Sequence, residues 1–184
     1  MKKIIVCLFI LLPLFNFAQE QSLVKWVTLN EAEELMKSEP RKILVDVYTS
    51  WCGPCKMLAS KTFNDPEIAD FINKYFYAIK FNAEGKDSIT FRGTTYKNPE
   101  YNPASTGRNG THELTRAIAP VEGKIAYPTV VYMDEDFKII APVQGFMAPN
   151  AIEPILNYFQ DNSYKTIAWE EYSKGFKSKL TGGR

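Results

Sequence analysis

The sequence predicts an α/β fold, a central mixed β-sheet of four or five strands with helices on both faces. Three observations predict it. Residues 43–49 (ILVDVYT) form a short, apolar, β-rich run suited to a strand buried on both faces, and a helical segment follows directly. A second such run at 77–83 comes after further helical sequence, and this β-α-β order requires a parallel pair with a helical crossover. Two later runs, 129–133 and 137–143, flank the acidic turn Asp134-Glu135-Asp136 and read as an antiparallel hairpin. Parallel and antiparallel pairs together make the sheet mixed.

The remaining elements follow in order. Residues 23–27 suit an edge strand. Thr28-Leu29-Asn30-Glu31 has capping-box form, and Ala32, Leu35 and Met36 continue on one helical face. The helix after the first buried strand runs to about Phe63. Asp65 can cap, and Pro66 can start, a second helix through Tyr75. Residues 84–110 break the pattern with Gly85, Gly93, Pro99, Pro103, Gly107 and Gly110. A loop of this length inside a compact domain is usually functional or disordered. A short helix over 111–119 precedes Tyr127-Pro128, and a last domain helix opens near Asn150 and runs through Phe159. Over 166–180, Ile167, Trp169, Tyr172, Phe176 and Leu180 form an apolar stripe that suits packing on the domain rather than a partner, and the last five residues are expected to fray.

Composition bounds the rest. The chain has 184 residues, about one domain, and is 45% hydrophobic, enough for a core. Residues 1–18 stand apart: Lys2 and Lys3, then the apolar run 4–14, then Ala18 before Gln19, which is the form of a secretory signal peptide. The run is too short for a stable membrane-spanning helix. The expected organisation is a signal at 1–18, a domain at 19–165 with an insertion at about 84–110, and a helical extension at 166–184. Signal removal takes away Lys2, Lys3 and Cys7, leaving 20 basic against 21 acidic residues and two cysteines. That balance argues against nucleic acid or a membrane surface as partner. Removal of the signal leaves no stable membrane insertion, and the mature chain is expected to be periplasmic or secreted.

Trp51-Cys52-Gly53-Pro54-Cys55-Lys56 carries the chemistry. The spacing lets the two cysteines share one disulfide. Closing so small a loop restricts the unfolded chain little, so redox chemistry explains the pair better than stability does. Cys52 falls at a strand-to-helix turn, where unpaired N–H groups and the helix dipole stabilise an anion and lower a thiol pKa. Pro54 suits the first helical turn.

On these residues the chain resembles the thioredoxin family over roughly residues 24–160. The hexapeptide WCGPCK matches the family motif. Asp46, six residues before Cys52, stands where the family carries a buried acid, and Lys80 where it has a lysine beside that acid. Tyr127-Pro128-Thr129 resembles its cis-proline loop, and Gly145 also fits. The resemblance implies that Cys52 attacks a client disulfide and that Cys55 resolves the adduct, with Asp46 accepting the Cys55 proton and Lys80 tuning it. It implies that Trp51, Gly53, Pro54, Tyr127 and Pro128 meet the substrate. No cofactor beyond the redox-active Cys52–Cys55 pair is implied, and no metal. The partners it implies are disulfide-containing protein clients and a membrane thiol-electron donor. The neutral Gly53-Pro54 pair resembles the reducing members, so a protein-disulfide reductase is expected. Tyr127 and Tyr48 depart from the residues common at their positions. Against a minimal member, 84–110 is an insertion of roughly 20 to 25 residues.

Alternatives stand beside these readings. Asp46 could face solvent at a strand edge. His112 could join the two cysteines as a metal ligand, but a histidine at a helix start is more often solvated. Asn109-Gly110-Thr111 matches a glycosylation sequon and is also a turn signal. The function could run the other way, as a disulfide oxidase or isomerase, or the domain could be a non-enzymatic binding module.

Overall fold

A computed structural model describes residues 22–181. The signal segment 1–18, Cys7 within it and the last three residues of the C-terminal tail lie outside the described residues.

The core is a five-stranded sheet. Its strands are β1 (Trp26–Val27), β2 (Lys42–Tyr48), β3 (Phe76–Asn82), β6 (Thr129–Met133) and β7 (Ile139–Gln144), in spatial order β1-β3-β2-β6-β7. β1 and β2 both run parallel to β3, whereas β6 is antiparallel to β2 and to β7. The sheet is therefore mixed, with β2 at its centre. The helices are α1 (Leu29–Leu35), α2 (Gly53–Met57), α3 (Pro66–Tyr75), α4 (Glu113–Ile118), α5 (Pro149–Gln160) and α6 (Trp169–Gly175).

The two-residue period of β2 divides the core. Ile43, Val45 and Val47 point to the side of α1 and α4, where Leu29, Ala32, Leu114 and Ile118 are buried with them. Leu44 points to the other side, with Phe63, Ile72, Tyr132, Ile152 and Leu156. Asp46 stands on this second face, where the pattern would otherwise place an apolar side chain. β3 follows the same division, so Ala78 and Lys80 share the face of Asp46.

The local signals for α1 and α3 act as expected. Thr28 accepts from the Glu31 N–H while Glu31 accepts from the Thr28 N–H, a complete capping box. Asp65 accepts from the Glu67 and Ile68 N–H groups, and Pro66 opens the helix.

Five expectations change. The edge strand over 23–27 shrinks to Trp26–Val27, because side chains of the neighbouring helical segment satisfy the backbone before it. Lys25 N donates to Asn73 Oδ1 at 2.8 Å, and Asn73 Nδ2 donates to the Leu23 carbonyl at 2.9 Å. The helix expected to reach Phe63 ends as a wider π turn over Leu58–Thr62. The insertion is not an irregular loop throughout: β4 (Ile89–Phe91) and β5 (Thr94–Tyr96) form a hairpin. Its two turn residues, Arg92 and Gly93, have φ of 49° and 76°, the left-handed pair that a tight hairpin requires. The helix expected over 166–180 covers only Trp169–Gly175, after which Phe176 turns extended. His112 is fully buried rather than solvated.

The chain after α5 packs on the domain. Tyr158 packs against both Trp169 and Tyr172, with ring centroids 5.3 and 4.8 Å away, and its hydroxyl donates to the Ile167 carbonyl at 2.6 Å. Buried Glu153 accepts from Ser178 Oγ at 2.5 Å and Lys179 N at 2.6 Å. Glu67 accepts from both the N–H and the hydroxyl of Thr181.

Candidate functional site

The site lies at the C-terminal end of β2. The strand delivers the chain to Thr49, and Cys52, with extended φ and ψ of −75° and 107°, caps α2. Its sulfur accepts from the Cys55 N–H at 3.1 Å. Pro54 sits in the first turn, where a missing N–H leaves no partner unserved. Cys52 and Cys55 are joined in a disulfide with Cα atoms 5.3 Å apart. In this oxidised state both are nearly covered, at 3% and 4% exposure, while Gly53, Pro54 and Lys56 are exposed around them.

Asp46 stands on β2, the strand that leads to the disulfide. It is 1% exposed, and neither carboxylate oxygen has a hydrogen-bond partner. Burial raises its pKa from 3.8 to about 6, with Lys80 opposing the rise. A cavity of about 120 Å³ is lined by Asp46, Thr49, Cys55, Ala59 and Lys80, among others. Asp46 and Cys55 thus border one space large enough for water. The solvent-facing alternative for Asp46 does not hold.

Lys80 is exposed and holds no carboxylate within ion-pair distance among the described residues. Its ammonium lies between the rings of Trp26 and Tyr48, 5.3 Å from each centroid. The Tyr127–Pro128 peptide bond is cis, Pro128 is buried, and its carbonyl accepts from the Gly145 N–H at 2.8 Å. Tyr127 meets Trp51 edge-on, with centroids 6.0 Å apart. Burial raises the pKa of its hydroxyl.

The insertion supplies residues that the sequence reading passed over. Trp51 Nε1 donates to Glu84 Oε2 at 2.9 Å, and Asn109 N donates to the same oxygen at 3.0 Å. Glu84 is buried, and the Arg108 guanidinium lies over the Trp51 ring at 4.5 Å. The available signal was positional: Glu84 comes two residues after β3, at the same end of the parallel pair at which the chain leaves β2 for Cys52. Asn109 uses its side chain within the insertion, accepting from Asn102 N at 2.7 Å and donating to the Asn102 carbonyl at 2.9 Å, as the turn reading requires. The next residue must be glycine, since a Cβ at Gly110 would fall 2.5 Å from the Glu100 Cβ.

His112 does not join the cysteines. Its Nδ1 accepts from the Leu114 N–H at 3.1 Å, its Nε2 lies 2.9 Å from the Asp87 carbonyl, and its ring meets Phe81 edge-on. Among the described residues no group of three or more His, Cys, Asp or Glu side chains could hold a metal ion. No described helix is long and apolar enough to cross a membrane.

A family model for the thioredoxin-like domain matches residues 29–160. The chain belongs to the thioredoxin-like domain family. That membership and the Cys52–Cys55 disulfide together support a thiol–disulfide oxidoreductase in general. Among relatives, the chain is 38% identical over 50 residues to the chloroplastic thioredoxin-like protein CITRX of Arabidopsis thaliana, covering 27% of each protein. To the CITRX of Solanum tuberosum it is 37% identical over 86 residues, covering 41% of this chain and 49% of that protein. The matches thus span from about a quarter to half the length of these curated relatives. A thioredoxin-fold protein from Helicobacter pylori superposes with a TM-score of 0.54 at 19% identity, over 73% of this chain and 79% of that one, a likeness of fold.

Proposed function

We propose that the protein is an exported thiol–disulfide oxidoreductase that reduces protein disulfides through a Cys52–Cys55 dithiol/disulfide cycle. The observation that carries the reading is the disulfide at the start of α2 with an unpartnered, buried Asp46 bordering the same cavity as Cys55. Export is supported by the form of residues 1–18.

The cycle starts from the dithiol. Cys52 sits at the helix start, where N–H groups favour the thiolate. That thiolate attacks one sulfur of a client disulfide. A Cys52–client bond forms, the client S–S bond breaks, and the other client sulfur leaves as a thiolate that takes a proton from water. Cys55 then loses its proton to Asp46 through water in the shared cavity. Its thiolate attacks the Cys52 sulfur, the Cys52–client bond breaks, and the second client sulfur leaves as a thiolate that takes a proton from water while Asp46 gives its proton back. The client gains two electrons and two protons, and the pair is left oxidised. A membrane thiol-electron donor then returns the pair to the dithiol. Trp51, Gly53 and Pro54 border the attacking sulfur. Tyr127 and Pro128 offer backbone at which an extended client segment can pair. Lys80, on the ladder beside Asp46, holds down the rise in its pKa.

The neutral Gly53-Pro54 pair gives the thiolate no side-chain charge to lean on, which favours a reducing couple. The test is reduction of insulin by the dithiol form, with Cys55→Ser used to trap clients at Cys52. Insulin disulfides left intact would sink the reading. A potential far above the thioredoxin value of about −270 mV would assign the oxidase or isomerase direction.

A further inference from the structure

We propose that Arg108 selects clients, recognising a carboxylate that flanks the client disulfide. This rests on the reductase reading above and names the chemistry of its substrate.

Arg108 is an exposed cation on the flank of the cysteine pair. Its guanidinium lies over Trp51, the residue that precedes Cys52. Both partners are held from behind. The Trp51 indole is fixed by its bond to Glu84, so its ring face is set. The peptide unit that follows Arg108 is held at both of its polar groups: Ser105 Oγ donates to the Arg108 carbonyl at 2.6 Å, and Asn109 N donates to Glu84. A side chain anchored in this way gives up less freedom when it meets a ligand.

The charge of Arg108 is not spent internally. Glu84, the acidic residue of this corner, is taken up by two N–H donors and makes no ion pair with Arg108. Among the described residues, no carboxylate lies within ion-pair distance of its guanidinium. Stacking over an indole occupies the flat face of the guanidinium and leaves its N–H edge free, the edge that takes a carboxylate through two parallel hydrogen bonds. Lys56 and Lys80, two further exposed cations, border the cavity that Asp46 and Cys55 line. Asp46 and Glu84, the carboxylates of the site, are buried. A client approaching Cys52 therefore meets the cations Arg108, Lys56 and Lys80, which favour acidic neighbours of its disulfide and steer their approach. The insertion thereby adds a charge requirement to chemistry that the cysteine pair would otherwise offer to any disulfide.

The experiment uses two disulfide peptides that differ only in Glu or Lys beside one cysteine. It compares the ratio of their kcat/KM values for the mature wild-type protein, R108Q, R108E and K56Q, at low and high salt. The wild type is expected to prefer the Glu peptide about fivefold at low salt, the size an exposed ion pair supports, and to lose the preference at high salt. R108Q should bring the ratio near one, and R108E should invert it. A wild type that reduces both peptides without preference overturns the inference alone. So does a preference that survives R108Q and R108E but vanishes in K56Q. A wild type that reduces neither peptide sinks the reductase reading and this inference with it.

Discussion

Asp46 and Lys80 stand opposite each other on the parallel β2–β3 ladder, yet no ion pair joins them. The lysine reaches over to Trp26 and Tyr48 instead, and the carboxylate stays behind it with both oxygens unpartnered. A closed ion pair would hold Asp46 ionised far below neutral pH and unable to take a proton. The open arrangement leaves it at about 6, where it can both accept and return one.

The first prediction concerns pH and stability. Asp46 has a folded pKa raised from 3.8 to about 6, so between those values the folded state holds a proton that the unfolded state has lost. Stability is therefore full below the lower value, falls as pH rises through the higher one, and then levels off. The gap corresponds to about 3 kcal/mol. Asp46→Asn should remove this fall, leaving the oxidised protein about 1–3 kcal/mol more stable than wild type at pH 8 and little changed at pH 4. Urea unfolding of both proteins across that range is the measurement. A wild-type stability that climbs from pH 4 to 6 would mean the carboxylate is paired.

The second prediction separates the lysine from the aromatic clamp around it. Lys80 lowers the pKa that burial raises. Lys80→Met keeps an unbranched chain against Trp26 and Tyr48 but removes the charge. The Asp46 titration, followed through its carboxyl carbon by NMR, should move upward, and the pH at which mixed disulfides resolve should move with it. Lost cation–π contact costs about 0.5–1 kcal/mol at such an exposed site. A titration that stays in place would show that solvent already screens the lysine.

Most of the sheet was legible because its signals are local. β2 and β3 are runs of apolar residues with a two-residue period, and Thr28 and Asp65 cap their helices through groups within three residues. The cysteine pair and the strand before it could be placed for the same reason. The hairpin of the insertion has a signal too, since Ile89, Phe91 and Tyr96 flank an Arg-Gly turn, but its three-residue strands are short beside the glycines and prolines around them. Glu84, Arg108 and His112 were not legible. Their roles come from contacts with residues far along the chain, such as Trp51 at 33 positions from Glu84 and Asp87 at 25 from His112. A charged or polar residue in a loop has no periodicity to reveal that it is buried.

The third prediction follows from that burial of His112. The Leu114 N–H can only donate, so His112 Nδ1 accepts from it and Nε2 carries the hydrogen given to the Asp87 carbonyl. One side chain thus caps α4 and holds the insertion against Phe81 on β3. His112→Ala loses the cap, leaves the Asp87 carbonyl without its donor and opens a cavity, and it should cost about 2–4 kcal/mol. His112→Asn keeps an oxygen that can cap Leu114 but cannot reach Asp87, and it should recover about 1 kcal/mol of that loss. Urea unfolding measures both, and limited proteolysis should cut within 84–110 sooner in each variant than in wild type. If alanine costs less than about 0.5 kcal/mol and the cutting rate is unchanged, the insertion is held by its other anchors, Glu84 on Trp51 and Arg92 on Glu33 and the Asp136 carbonyl, and the histidine merely fills space.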